Sequence, residues 1–415
     1  MAVQIFIDPG SYSWTNFGDV LMFEVALARL RAFWPDARIV VHTLADDSLL
    51  SLDHRAVPLD PVGSFAWSAA ATAAGRSFDA LRARRRRIPG LFLGAAAAAL
   101  VLNGRNPRRA REYYDAIRQS DLVVVSGAGG LNDAFRSHAL RLLETMELAS
   151  DAGAVTALLG QGIGPMRDPR LRDRARMVLP KVDVITLREG RASVPLLREL
   201  GVSPERVEVT GDDAITRGFD PRPGNAGRAL GVNLRVASYA GVGPDLQRTV
   251  GDVVRDAAQA YGRQLEAIPI SLAPENNDVD AARAMIGAAA RPVQGIPDLL
   301  RRVAGCRVVV SGSYHAALLG LSMGIPAVTI VASEYYGDKF RGLAEQFGCG
   351  CVVEFAGGAG FPARLRSAID DAWREADSLR AGLLDAAAVQ NTLGEDAYRR
   401  LFQRVEARRL ARSAR

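Results

Sequence analysis

His315 is one of only four histidines in 415 residues, and it stands in the stretch Val308–Pro326, VVVSGSYHAALLGLSMGIP. The valines read as a buried strand, the serines and glycine as a short turn, and His315 falls where a helix should begin. In open α/β sheets, ligands bind beyond the carboxyl ends of strands. An imidazole placed there can move protons near neutral pH, and a helix N-terminus beside it favours anions. A packing role in a capped turn is the competing reading. Arg188 closes a second strand-like run in TLREGRAS, Thr186–Ser193. A guanidinium at a strand end can grip a carboxylate or phosphate through two parallel bonds. A surface ion pair with Glu189 would explain it as well. Asn233 and Arg235 end a third such run. Lys339, in SEYYGDKF, is one of only two lysines, the other being Lys181. In a chain that otherwise uses arginine, it reads as an anion contact at a loop-to-helix junction.

Three glycine-bearing loops follow strand-like runs. In Ser11–Asp19, SYSWTNFGD, Asn16 and Gly18 suit a tight loop and Asp19 suits a helix N-cap. In Ser126–Asp133, SGAGGLND, the glycines Gly127, Gly129 and Gly130 can aim backbone N–H groups at one anion. This loop lacks the third glycine of the dinucleotide fingerprint and the Gly-Lys-Ser/Thr of a P-loop, and a tight turn explains its glycines nearly as well. Gly160–Pro165, GQGIGP, is the third.

These residues need a scaffold, and the pattern around them alternates strand and helix throughout. Strands are expected at Gln4–Ile7, Arg38–His42, Leu122–Val125, Val155–Leu159, Val184–Leu187 and Val207–Thr210. After a Gly-, Pro- and charge-rich linker, Thr216–Arg228, further strands are expected at Leu230–Leu234, Leu265–Ile270, Val308–Val310 and Ala327–Val331. Helical patterns lie between them, which is the signature of parallel sheets built from βαβ units. The fold class is therefore α/β, with two doubly wound, Rossmann-like domains facing across a cleft. The domains are set at residues 1–217 and 218–415, with an insertion over about 65–111. Helices are expected at Ala66–Arg87 and Gly90–Val101 within that insertion and over most of Pro362–Arg415, whose last residues are expected to fray.

Length alone favours two domains over one core. A hydrophobic share of 48% and a charged share of 24% are those of a soluble globular protein. The net charge of +6 is a small surplus of 52 basic over 46 acidic residues. No zinc-finger spacing, arginine-rich tail or aromatic RNA-binding signature turns it into a nucleic-acid surface. Cys306, Cys349 and Cys351 are too few for a disulfide framework and lack metal-ligand spacing, so a reducing, cytoplasmic setting and no metal are expected. The apolar run Gly90–Leu102 is shorter than the ~20 residues of a spanning helix. Its basic flanks permit a peripheral membrane contact through 84–111, and plain burial is the alternative.

Taken in order, NFGD, DLVVVSGAGGLND, LLGQGIGP, Arg188–Ser193 with LLRELGV, VTGDDA and SGSYHAALLGLSMGIPAV resemble the polysaccharide pyruvyl transferase family. The resemblance runs from about Asn16 to Lys339. It implies a fold like that of GT-B glycosyltransferases, with the acceptor on the N-terminal domain and the donor on the C-terminal one. It also implies transfer of a pyruvyl group from phosphoenolpyruvate to two hydroxyls of a glycan or lipid-linked sugar, closing a ketal without a cofactor or metal. On that resemblance His315 and Arg188 are the catalytic candidates. Asn16, Gly18, Asp19, Gly127, Gly129, Gly130, Asn132, Asn233, Arg235, Ser311, Ser313 and Lys339 are the substrate contacts. One departure stands out. Many members carry arginine two residues before the histidine, where this chain has Ser313. Three consequences stay open: a weaker phosphate grip, charge supplied by Lys339 or Arg235, or a different donor. Two other functions remain open: a nucleotide-sugar glycosyltransferase, with Glu275 or Glu334 holding a ribose, and a non-catalytic subunit of a glycan-assembly complex.

Overall fold

The computed structural model describes residues 2–65, 85, 87, 89–127, 129–237 and 239–414. Strands β1 (Gln4–Asp8), β2 (Arg38–His42), β3 (Val57–Leu59), β4 (Leu122–Val125), β5 (Val155–Gln161), β6 (Val184–Leu187) and β7 (Val207–Val209) form one sheet. Its order is β3-β2-β1-β4-β5-β6-β7 and every pair is parallel. A second parallel sheet has the order β12-β11-β10-β8-β9. It is made of β8 (Ala229–Asn233), β9 (Leu265–Ala267), β10 (Cys306–Ser311), β11 (Ala327–Val331) and β12 (Cys351–Phe355). Parallel strands covered on both faces need continuous apolar runs. Accordingly every residue of LVVV in β4 and of VTALLGQ in β5 is buried.

The helices are α1 (Phe17–Phe33), α2 (Asp46–Leu52), α3 (Pro89–Leu102), α4 (Arg108–Arg118), α5 (Arg136–Ala152), α6 (Pro169–Val178) and α7 (Ser193–Glu199). They continue with α8 (Ala214–Phe219), α9 (Pro244–Tyr261), α10 (Asp278–Ile286), α11 (Ile296–Ala304), α12 (Tyr314–Ser322), α13 (Glu334–Phe347) and α14 (Phe361–Ser413). In each sheet the strand order reverses once. The first reverses between β1 and β4, the second between β8 and β10. Beyond the carboxyl ends of strands at such a reversal, connections leave in opposite directions and open a crevice. The two crevices face each other, so residues from both line one cavity.

Two devices hold the crevices face to face. The loop before α1 meets the loop after β9: Phe17 N donates to Ile270 O at 2.8 Å and Leu272 N to Thr15 O at 2.7 Å. The other is α14, whose 53 residues extend about 80 Å. Its start (Phe361, Leu365, Ile369) packs on the second sheet, and its later turns (Tyr398, Leu401, Val405) pack with β1 and α1.

Several expectations need correction. The C-terminal residues do not fray: the Arg408 guanidinium donates to Ala154 O at 3.0 Å and to Asp183 at 2.9 Å. The proposed linker starts too early, because α8 occupies Ala214–Phe219, with Gly218 close against Ser322 and Leu319 of α12. Asp19 is not the N-cap of α1. Asn16 is, its Oδ1 accepting from Gly18 N at 3.0 Å, and Asp19 lies in the first turn. The helix expected at Ala66–Arg87 falls almost wholly outside the described residues.

Candidate active site

The cavity is about 300 Å³. It brings together Asn16, Asp19, Gly129, Gly130, Arg188, Arg235, Ser313, His315 and Lys339, which lie far apart in sequence. Gly18, Gly127, Asn132, Asn233 and Ser311 do not line it. A Cβ on Gly18 would lie 1.9 Å from His315 Nδ1, so glycine there makes room for the imidazole. Gly127 gives space to Met22, at 1.7 Å from a would-be Cβ. Asn132 Oδ1 accepts from Phe135 N at 3.1 Å and caps the turn before α5. Asn233 Nδ2 donates to Ile268 O at 2.8 Å and to Asp278 at 2.9 Å. The Ser311 hydroxyl accepts from Ser313 N at 2.9 Å, fixing the turn that presents α12.

All nine residues of α12 are buried, so this helix is central and its N-terminus opens on the cavity. His315 sits in its first turn. Its Nε2 lies 3.6 Å from Asp212 Oδ2, and neither atom has a hydrogen-bond partner. Asp212 Oδ2 is also 3.7 Å from Arg188 Nη1, while Asp212 Oδ1 accepts from Ala214 N at 2.9 Å. A carboxylate held this way can orient the imidazole, and such contacts commonly tighten when substrate binds. The next residue, Asp213, anchors the loop: it accepts from Arg29 at 2.8 Å and from the Tyr398 hydroxyl of α14 at 2.8 Å.

Arg188 is not the surface ion-pair partner of Glu189. It is buried, and Glu189 instead accepts from Ala192 N at 2.8 Å and Ser193 N at 3.1 Å. The guanidinium lies over the Tyr314 ring at 4.4 Å, and a Cβ on Gly162 would sit 2.6 Å from its Nε. The GQGIGP loop is therefore the seat of Arg188. Its Nε and Nη2 are buried without partners. Buried, unspent guanidinium donors are costly unless a ligand completes them. Lys339 is close by: a Cβ on Gly129 would lie 2.6 Å from Arg188 Nη2 and 2.8 Å from Lys339 Nζ. The Lys339 amine donates to the Tyr335 hydroxyl and lies 4.0 Å from the centre of that ring. Burial, reinforced by Arg188, pushes the amine well below the usual lysine range. Arg235, by contrast, is spent on Asp278, with Nε and Nη2 each 3.0 Å from a carboxylate oxygen. Burial pushes the Asp19 carboxyl up, against the pull of His315, Arg188, Arg235 and Lys339.

Asp212, Tyr314, Tyr335, Tyr239 and His138 belong to this site or its support and carried no clear signal in the sequence. Asp212 had the best one, a strand end followed by two acids in VTGDDA.

Residues 16–334 match the family described as polysaccharide pyruvyl transferase. The chain belongs to that family. The match takes in Asp19, Arg188, Asp212 and His315 and stops just short of Lys339. A curated relative of this chain is the amylovoran biosynthesis protein AmsJ of Erwinia amylovora, 21% identical over 302 residues, which are 64% of this chain and 69% of that protein. Among solved structures, a UDP-GlcNAc 2-epimerase from Methanocaldococcus jannaschii superposes with a TM-score of 0.57 at 12% identity, covering 97% of this chain and 99% of its own. A UDP-glucosyltransferase from Polygonum tinctorium gives a TM-score of 0.56 at 13% identity, covering 98% and 99%. At such identities the likeness is one of fold. It places this chain in the GT-B-like, two-domain Rossmann architecture.

Proposed function

We propose that this chain transfers the pyruvyl group of phosphoenolpyruvate to two hydroxyls of a sugar in a cell-surface polysaccharide or its precursor, closing a cyclic ketal. The observation that carries the reading is the buried Arg188, with two donors unspent, and the neighbouring Lys339 amine, beside His315 and the N-terminus of α12. Phosphoenolpyruvate brings a carboxylate and a phosphate to such a site. Lys339, whose charge burial opposes, would hold its proton fully once that anion is present. It thereby supplies the charge that Ser313 lacks.

The reaction begins with a proton added to the methylene carbon, leaving an oxocarbenium-like centre at the neighbouring carbon. Asp19 suits this donation: it lines the cavity and burial favours its protonated form. A sugar hydroxyl attacks that centre while His315 takes its proton, with Asp212 stabilising the imidazolium. The carbon–oxygen bond to phosphate breaks, Arg188 and Lys339 accept the developing charge, and the second hydroxyl closes the ring. Of the two hydroxyl protons, one replaces that spent by Asp19 and the other leaves with phosphate.

A nucleotide-sugar glycosyltransferase is the second reading, favoured by the GT-B likeness alone. Glu275 lines the cavity, but Glu334 is exposed and engaged by Arg167 at 2.6 Å. Phosphate release from phosphoenolpyruvate with a panel of acceptor glycans decides between them. Acceptor-dependent release, lost in His315→Ala and Arg188→Ala, is the expected result. Absence of release together with calorimetric binding of a nucleoside diphosphate would replace this reading with the second.

We further propose a cytoplasmic setting with a peripheral contact to an anionic membrane through α3. Leu91, Val101 and Leu102 are exposed, and the exposed Arg105 and Arg108 follow them. Apolar side chains rimmed by arginine suit that surface. No described helix is long and apolar enough to cross a membrane. Flotation with phosphatidylserine vesicles at low salt tests this, and protein left at the bottom of the gradient would remove it.

A further inference from the structure

The cavity is chemically two-sided, and the division falls between adjacent glycines. Gly129 faces Arg188 and Lys339, whereas a Cβ on Gly130 would lie 2.8 Å from His138 Cδ2 and 3.2 Å from its Nε2. On the loop between β1 and α1 the lining is Gly10, Ser11, Ser13 and Thr15, all uncharged, and the Tyr12 ring of that loop lies edge-on to His138 at 5.8 Å. Hydroxyls and backbone groups of this kind match a neutral polyol and offer an anion little. Adjacent α-carbons are about 3.8 Å apart, so a molecule against His138 lies within one sugar ring of the anion-binding side.

The protonation of His138 is set by its neighbours. Arg141, a permanent donor, lies with Nη2 3.3 Å from His138 Nδ1, and Arg141 itself is stacked at 4.7 Å on Phe65. With Nδ1 accepting, the proton of the neutral ring sits on Nε2. That atom is buried and has no hydrogen-bond partner among the described residues. Burial, with Arg141 and His42 adding to it and Asp8 opposing, lowers the imidazole to about 4. The ring is therefore neutral at physiological pH and is a donor at Nε2, not a base.

We propose that His138 is the acceptor-binding residue: its Nε2–H donates to a sugar hydroxyl oxygen and holds that ring beside the donor, leaving the hydroxyl proton for His315. This rests on the pyruvyl transfer reading for the identity of the acceptor. The site it names is the neutral side of the cavity.

Kinetics of phosphate release separate the two substrates. His138→Leu removes the donor and His138→Gln keeps one near the same place. Leaving a buried polar partner unmet costs about 10- to 100-fold in affinity. The expected result is an acceptor KM raised by that factor in His138→Leu, a phosphoenolpyruvate KM within about twofold of wild type, and substantial recovery in His138→Gln. An unchanged acceptor KM, or both KM values rising together, would overturn the proposal. If wild type releases no phosphate, the donor reading has failed, and saturation-transfer NMR with nitrophenyl hexosides still tests His138. Hexoside binding lost in His138→Leu and regained in His138→Gln supports it; equal binding by both variants and wild type overturns it.

Discussion

Arg188 and Arg235 are the same residue type, are both buried, and follow the ends of strands on opposite sides of one cavity, yet their chemistry differs. Arg235 meets Asp278 through two contacts of 3.0 Å, and Asp278 also accepts from Asn233, Ile270 N and Ser271 N. Its charge is consumed in shaping the β8–β9 side. Arg188 has only a 3.7 Å approach to Asp212 and keeps two donors unspent. A buried cation neutralised at close range by a carboxylate is architecture, whereas one whose nearest carboxylate stands off is available to a ligand. Strand ends and residue types are equivalent at the two positions, so the 3.0 Å and 3.7 Å approaches of the carboxylates separate them.

The largest effects should come from exchanging those roles. Arg188→Ala is expected to lower kcat/KM for phosphoenolpyruvate by about 10³-fold or more, with the melting temperature nearly unchanged. Arg235→Met should do the reverse. It strands Asp278 as a buried, unpaired carboxylate and should cost about 3–5 kcal/mol of stability. Arg235→Met combined with Asp278→Leu should regain part of that loss, because the orphaned charge is gone. Denaturant titration of the three proteins checks this. Equal loss of stability in Arg188→Ala and Arg235→Met would erase the distinction.

Asp19 sharpens it further, since its carboxyl sits against the open cations and still has a raised pKa. The unfolded carboxyl ionises near pH 4, before the folded one. Stability is thus fully present in acid and declines as pH rises through the window up to the raised folded value. Asp19→Asn cannot ionise. It should melt above wild type at pH 7, converge with it near pH 4, and lose about 10²-fold or more in kcat. Wild-type and variant melting curves that stay parallel over pH 4–8 would place the Asp19 ionisation outside the stability of the site.

Gly129→Ala should have the smallest effect. The added methyl meets the far ends of Arg188, Lys339 and Tyr335, side-chain tips that can retreat. A ~3- to 10-fold rise in the phosphoenolpyruvate KM, about 1 kcal/mol, is expected with the fold intact. A rise above ~100-fold would mean that both cations are rigidly fixed before substrate arrives.

What the sequence determined is the scaffold and the chemical cast. Apolar runs at strand length, broken by Gly, Ser and Asn, give the parallel α/β fold, because doubly covered strands must be apolar throughout. Arg38–His42, Leu122–Val125, Val184–Leu187 and Ala327–Val331 emerge with the expected bounds. Strand β12 did not stand out, because an edge strand with Val352 and Phe355 exposed carries a weaker pattern. His315 and Arg188, just beyond strand ends, were legible as candidates because polar groups there have no packing role to fill; Lys339 was legible by its rarity, although it lies within α13 and not at the expected loop-to-helix junction. Tertiary structure alone decided which polar groups are already satisfied. It spent Arg235 on Asp278, left Arg188 open, brought Asp212 of the first unit to His315 of the second, and placed His138 in the cavity wall. Those outcomes depend on contacts between residues tens of positions apart or more, such as the 43 between Arg235 and Asp278, and no local pattern records them.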